Sequence, residues 1–283
     1  MTTGVQIAIG PFLVRIRSEL PAVGDHLRRL YSDFPISTAL GGHFDVAVVA
    51  GRGVRRWVRR QAILYVNGAK PYLPLPAELA GPVLEWGLNH CLGSRAHQTV
   101  AVHAAVVERH GRALILSAPS GSGKSTLCAA LTYSGWRLLS DEFALIDPAT
   151  GRLWPAPRPV SLKETAIDLV RRRHPDVVYG PETVDMEGLR FVHAKPPSES
   201  VHRMHEKAEA GWIVFPRYAP GKPTALEPIS KAHALMELAG QSFNFNYLVN
   251  GFECLTRLVG TSQCFSLEYS DLDDVLPRLA QLV

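Results

Sequence analysis

Residues 113–126 read ALILSAPSGSGKST, and this stretch decides the fold. The apolar run Ala113–Ser117 predicts a strand. It runs into a glycine-bearing loop, and a helix with Leu127, Ala130 and Leu131 apolar follows. Ala118, Pro119, Ser120, Gly121, Ser122, Gly123, Lys124, Ser125 and Thr126 fit the phosphate-loop pattern GxxxxGK[ST], except that Ala118 stands at the first glycine. Each residue type has a chemical reason. Gly121 and Gly123 let backbone N–H groups turn inward around an anion. The helix starting near Ser125 points its positive end at the same place. Lys124 supplies a point charge for the β- and γ-phosphates, and the Ser125 hydroxyl suits Mg²⁺. The expected cofactors are ATP and Mg²⁺, although no base-reading motif separates ATP from GTP.

Reading outward, Val100–Val107 is a second apolar strand, joined to the first by a turn at His110-Gly111. Downstream come a strand at Arg137–Leu139, the acids Asp141 and Glu142, and a strand at Phe143–Ile146. This β–loop–α–β order predicts an α/β nucleotide-binding domain over residues 96–283. Later strands are expected at Trp212–Phe215 and Phe265–Tyr269, and helices at Lys231–Leu238 and Leu272–Leu282. Residues 171–210 have weak periodicity and read equally as a mobile lid and as a surface insertion. Residues 1–95 read as a small α+β domain. Strands are expected at Val5–Ile9, Phe12–Arg17, Phe44–Val49 and Trp57–Val66, and helices at Pro21–Tyr31 and Pro76–Leu92. Asn67-Gly68 is the strongest hairpin signal.

Composition narrows the function classes. With 46% hydrophobic residues the chain can bury a core, which excludes a largely disordered protein. Four cysteines without a CxxC pair read as reduced thiols in a cytoplasmic protein. The N-terminal stretch lacks a basic region ahead of its apolar run, and no apolar run approaches the roughly 20 residues that span a bilayer. Neither secretion nor a membrane is expected. A net charge of +4 is too small to demand nucleic acid, and the arginines at 52, 55, 56, 59 and 60 read as a solvated strand face.

Asp141 and Glu142 sit at a strand end beside the phosphate loop, where an acid can hold Mg²⁺ or take a proton from an attacking hydroxyl. His103 lies 21 residues before Lys124, and Asp141 lies 17 after it. That arrangement, VHAAVVE…GSGKST…GWRLLSDEFALID, resembles the kinase domain of HPr kinase/phosphorylase over about His103–Ile146. The chain resembles the HprK-related kinase A family more closely and over nearly its whole length. The shared stretches include PFLVRI, LEWGLNHC, RPVSLK, FPRY and YSDLDD.

The resemblance implies an HPr-kinase-like, PEP-carboxykinase-like fold and an ATP-dependent kinase that phosphorylates a serine or threonine hydroxyl on a protein or peptide. It places His103 near the transferred phosphoryl group, Lys124 as its neutralising charge and Ser125 on Mg²⁺. Asp141 becomes the general base, and Glu142 takes a metal or supporting role, with the division between the two acids left open. Asp141 thus also belongs to the candidate metal set. The resemblance also implies self-association and a modified peptide, such as a peptide natural-product precursor, as acceptor. Where HPr kinase carries an ERGxG-type signature, this chain has Pro157–Lys163. Arg158 and Lys163 are candidates for stabilising transition-state charge there. The acidic ligand of that signature is missing, which leaves phosphorolysis without support. Three alternatives remain: a small-molecule alcohol kinase, a nucleotide-gated ATPase and a non-catalytic nucleotide-binding adaptor.

Overall fold

The computed structural model describes residues 4–38, 41–94 and 97–283. The expected domain boundary at residues 95 and 96 lies outside them. The first unit comprises β1 (Val5–Ile9), β2 (Phe12–Ser18), α1 (Pro21–Leu30), β3 (Ile36–Ser37), β4 (Phe44–Ala50), β5 (Gln61–Val66), β6 (Leu75–Pro76) and α2 (Ala80–Ser94). Its six strands lie in the order β3-β1-β2-β4-β5-β6. Strands β2 and β4 pair in parallel across α1, and α2 packs on β4 and β5. Asn67 and Gly68 take φ of 50° and 79° in the tight turn after β5, as the hairpin signal predicts. The expected strand at Trp57–Val66 is shorter. Residues 57–60 form a turn after a 3₁₀ helix at Gly53–Arg56, the strand begins only at Gln61, and Trp57 stands in solvent.

The second unit begins with β7 (Val100–Arg109), β8 (Arg112–Ser117), α3 (Lys124–Tyr133), β9 (Arg137–Ser140), β10 (Phe143–Ile146), β11 (Leu153–Trp154), β12 (Val160–Lys163) and α4 (Thr165–Arg173). It continues with β13 (Thr183–Val184), β14 (Arg190–Ala194), α5 (Ser198–His202), β15 (Glu209–Tyr218), β16 (Ala225–Pro228), α6 (Lys231–Gly240), α7 (Gly251–Thr261), β17 (Gln263–Tyr269) and α8 (Leu272–Ala280). A mixed central sheet runs β11-β10-β7-β8-β15-β17-β16, with β9 also pairing β7. Strand β8 is parallel to β15, and β15 to β17. Residues 171–210 carry regular structure. They contribute β13 and β14, which join β12 in a three-stranded antiparallel sheet, together with α5. Among the described residues no helix is long and apolar enough to cross a membrane.

Strand β7 explains how the layers stack. Its even-numbered residues Val100, Val102, Ala104 and Val106 pack under α6 and α7. Ala105 and Val107 face α3 and α8, while Ala101 faces the core of the first unit. With both faces covered, β7 is apolar almost throughout, as a sheet buried on two sides requires. The half-buried His103 breaks that run.

Arg158 is not at the phosphate loop. It is buried where the two units meet, within reach of Glu85 at 3.2 Å and bonded to Asn89. Glu85 also accepts from the Tyr31 hydroxyl at 2.8 Å and lies 2.8 Å from His26 Nε2. The buried carboxylate itself holds Arg158 there, from where its charge still reaches Asp141 and Glu142. Desolvating Glu85 is tolerable only with a cation and several donors around it. Burial alone would raise the Glu85 carboxyl, but His26, His193 and Arg158 outweigh it and hold it at about 2. Burial pushes the neighbouring His193 down to about 4.

Removing the guanidinium leaves that carboxylate stranded, so Arg158→Met should lower the unfolding free energy by about 3–5 kcal/mol. Both shifted groups lose stability in acid. The His193 contribution fades as pH falls from 6.5 toward 4, and the Glu85 contribution from 4.5 toward 2. Because the upward-shifted Asp141 gains stability over the same range, the His193 effect is read as a difference: the stability of wild type relative to His193→Gln should fall by about 2 kcal/mol in urea unfolding between pH 7 and pH 5.

Candidate active site

The phosphate loop leaves the C-terminal end of β8, between β7 on one side and β15 and β17 on the other. Gly121 and Gly123 take φ of 83° and 88°, which L side chains rarely adopt. Ala118 is not among the positive-φ residues, so its methyl group is tolerated where the pattern has glycine. Gly123 caps α3 without a side-chain acceptor, so the first N–H groups of the helix remain available to an anion. Two tyrosines that also line the cavity hold the loop. The Tyr218 backbone N–H donates to the Ser122 carbonyl at 2.9 Å, and the Tyr269 hydroxyl donates to the Gly123 carbonyl at 3.0 Å. A Cβ on Gly123 would lie 2.4 Å from the Tyr269 oxygen.

The loop forms one wall of a cavity of about 570 Å³. Pro119, Ser120, Gly121, Gly123, Lys124, Ser125 and Thr126 all line it. His103 and Glu142 line it as well. The antiparallel pairing of β7 and β10 sets Phe143 opposite His103, which brings the preceding Glu142 to the same edge. Lys124 Nζ lies 2.7 Å from His103 Nε2, and Glu142 Oε2 lies 3.4 Å from the same nitrogen. One imidazole nitrogen cannot accept from an ammonium and donate to a carboxylate at once. The shorter contact favours acceptance from Lys124. The ring proton then sits on Nδ1, 3.4 Å from the Gln241 side-chain oxygen.

Burial lowers the Lys124 ammonium from its ordinary range, opposed by the Glu142 and Asp141 charges. Burial alone would raise Glu142, but with His103 Nε2 accepting from Lys124 it is the Lys124 charge that holds its carboxyl below the usual range. Asp141 is shifted upward, first by burial and then by the Glu142 charge beside it. The site is thus a partly desolvated cation facing a carboxylate, with a second carboxyl behind.

Asp141 does not line the cavity. It is buried and accepts from the Ser161 backbone N–H at 3.0 Å. The carboxylate that reaches the cavity is Glu142, which departs from the expectation that Asp141 meets the acceptor. Arg158 is likewise absent from the wall, whereas Lys163 is on it. The loop's own Ser122 hydroxyl is buried without a partner. Ser125 and Glu142 offer oxygen donors to Mg²⁺ on one wall. No cluster of three or more His, Cys, Asp or Glu residues suited to a metal occurs among the described residues. These donors fit an ion that completes its shell with phosphate oxygens. Sequence reasoning gave no role to Arg172, Arg173, Tyr218, Tyr269 or Gln241. The signals were there in part: FPRY holds Tyr218, YSDLDD opens with Tyr269, and a run of three arginines ends α4.

A family model described as SynChlorMet cassette protein ScmC matches residues 89–169, a span that includes His103, the loop, Asp141 and Glu142. No curated protein matches the chain. A solved structure, the Hpr(Ser) kinase/phosphatase from Coxiella burnetii, overlaps with a TM-score of 0.29 and 11% identity. The overlap covers 64% of this chain and 96% of that one, and it is too loose to equate the two folds.

Gly123→Ala should weaken binding of Mg-ATP at least about ten-fold, since a strained φ and a collision each cost on the order of 1–3 kcal/mol. Tyr269→Phe in the same chain should recover only part of the loss, because it relieves the collision and not the φ. Titration calorimetry on the two variants checks this.

Proposed function

We propose that the chain is an ATP- and Mg²⁺-dependent phosphotransferase that phosphorylates a serine or threonine hydroxyl of a protein or peptide. One observation carries the reading: the phosphate-loop lysine, an imidazole and a carboxylate meet on one cavity wall, Lys124 Nζ to His103 Nε2 at 2.7 Å and His103 Nε2 to Glu142 Oε2 at 3.4 Å. The motif resemblance to HPr-kinase-related proteins supplies the acceptor class.

Catalysis in such a site is positioning and charge neutralisation. The loop N–H groups and the start of α3 hold the phosphates. Lys124 moves from His103 to the transferred group and neutralises it. Lys163, Arg172 and Arg173 add positive charge along the same cavity. When bound, Mg²⁺ would supply further neutralisation of the phosphate oxygens, with Ser125 as the protein donor. Glu142, ionised and on the wall, takes the acceptor hydroxyl proton as the new O–P bond forms and ADP leaves. Asp141 is a positioning residue that ties the end of β9 to β12 through Ser161.

Incubating γ-labelled ATP and Mg²⁺ with an extract of the source organism tests this. Wild type should label a polypeptide. Lys124→Ala and Glu142→Gln should each slow labelling by about 100-fold or more, and Glu142→Gln should retain nucleotide binding. Asp141→Asn should cost less. Label released only as free phosphate would replace the phosphotransferase with an ATPase. Transfer lost in Asp141→Asn and kept in Glu142→Gln would return the base to Asp141.

A further inference from the structure

Residues 241–250 connect α6 to α7 and border the catalytic histidine. The sequence here is QSFNFNYLVN, and no charged residue occurs between Glu237 and Glu253. The segment is built into the edge of β7. The His103 backbone N–H donates to the Gln241 carbonyl at 2.8 Å, and the Phe243 N–H donates to the Ala101 carbonyl at 3.0 Å. The Asn244 side chain accepts from the Ala101 N–H and donates to the Thr99 carbonyl, both at 2.9 Å. Phe245 and Leu248 pack inward against the core under β7. The return into α7 is tight: a Cβ on Gly251 would lie 2.0 Å from the Phe245 carbonyl oxygen.

This anchoring presents apolar side chains to water. Phe243 is 46% exposed, Tyr247 79%, Val249 88% and Phe252 57%. Such a patch beside a polar site marks an interaction surface. Its place in the fold says what it receives. In sheet order β7 and β17 lie on opposite sides of the phosphate loop. The Lys124, His103 and Glu142 groups that face the transferred phosphoryl lie on the β7 side. The cavity extends from His103 and Glu142 to Tyr218, Tyr269 and Leu272, and a nucleoside lying toward Tyr269 would leave the His103 end to the acceptor. The Phe243 ring is 6.3 Å from the His103 ring at that end. At roughly 150–250 Å² per aromatic side chain, the four residues expose on the order of 500 Å². A standard interface needs about 800 Å² per partner. The patch is too small for a stable dimer and suits a short polypeptide segment.

We propose that residues 241–252 form the docking surface for the acceptor polypeptide, and that this acceptor carries uncharged, apolar side chains next to its hydroxyl residue. The acceptor identity rests on the phosphotransferase reading, and the existence of the surface does not.

The test uses the full chain and a Tyr247→Ser/Val249→Ser double variant. Both positions are exposed and neither is in the catalytic or nucleotide-binding machinery. The probes are fluorescein-labelled peptides with one central serine, flanked by Leu and Phe, by Glu or by Lys. Binding is read by anisotropy with Mg²⁺ and a non-hydrolysable ATP analogue, and transfer is read in parallel with γ-labelled ATP. The apolar peptide should bind wild type at least ten-fold more tightly than the charged ones. The double variant should lose that preference while its nucleotide affinity stays unchanged. Equal binding of all peptides, no binding, or an unchanged double variant overturns the docking surface. Transfer that persists with any of these results leaves the phosphotransferase reading standing. Selective docking of the apolar peptide without transfer supports the surface and removes that reading. A dimer in sedimentation velocity that dissociates only in the variant assigns the patch to a second copy and overturns the proposal.

Discussion

A charged ammonium inside a protein needs a lone pair or an anion facing it. Lys124 finds the lone pair on His103 Nε2, 2.7 Å away, with the Glu142 carboxylate beyond it. The rest of the structure can be traced from that contact. His103 is the half-buried polar residue in a strand covered on both faces, and the covering layers hold its ring in place. The segment after α6 bonds to its backbone and offers the Gln241 oxygen to Nδ1. The two tyrosines bond to the loop at Ser122 and Gly123, next to Lys124. Each contact keeps the cation partly desolvated.

The first unit takes part in this arrangement without entering the cavity. Its core continues onto Ala101, Phe143 and Leu145 of the central sheet, next to the residues that carry the site. The buried group of Glu85, His26, Tyr31 and Arg158 joins the units through charge as well as packing. A buried pair of this kind adds little net stability but is costly to break. Shifting one unit against the other would strand a charge, so the joint is held in one arrangement.

The phosphate loop was legible because its chemistry is local: a strand, two glycines, a lysine and a hydroxyl within 14 residues. The turn at Asn67-Gly68 was legible for the same reason. Arg158 was misplaced because its partner, Glu85, lies 73 residues away, and no local pattern reveals a buried carboxylate. Both sit in motifs that stood out, LEWGLNHC and RPVSLK, yet only the fold shows that the two stretches meet. Asp141 and Glu142 could not be told apart, since adjacent residues on a strand end point in different directions and the sheet edge decides which faces the cavity. Gln241 carried no signal at all. Its role depends on lying beside His103, 138 residues earlier.

The measurement closest to the central claim is the binding of Mg-ATP to the intact chain and to Lys124→Ala by titration calorimetry. One site per chain, dependent on Mg²⁺ and lost or weakened at least about 100-fold without the Lys124 ammonium, is the predicted result. Equal binding by the two proteins, or no binding by wild type, would contradict the account.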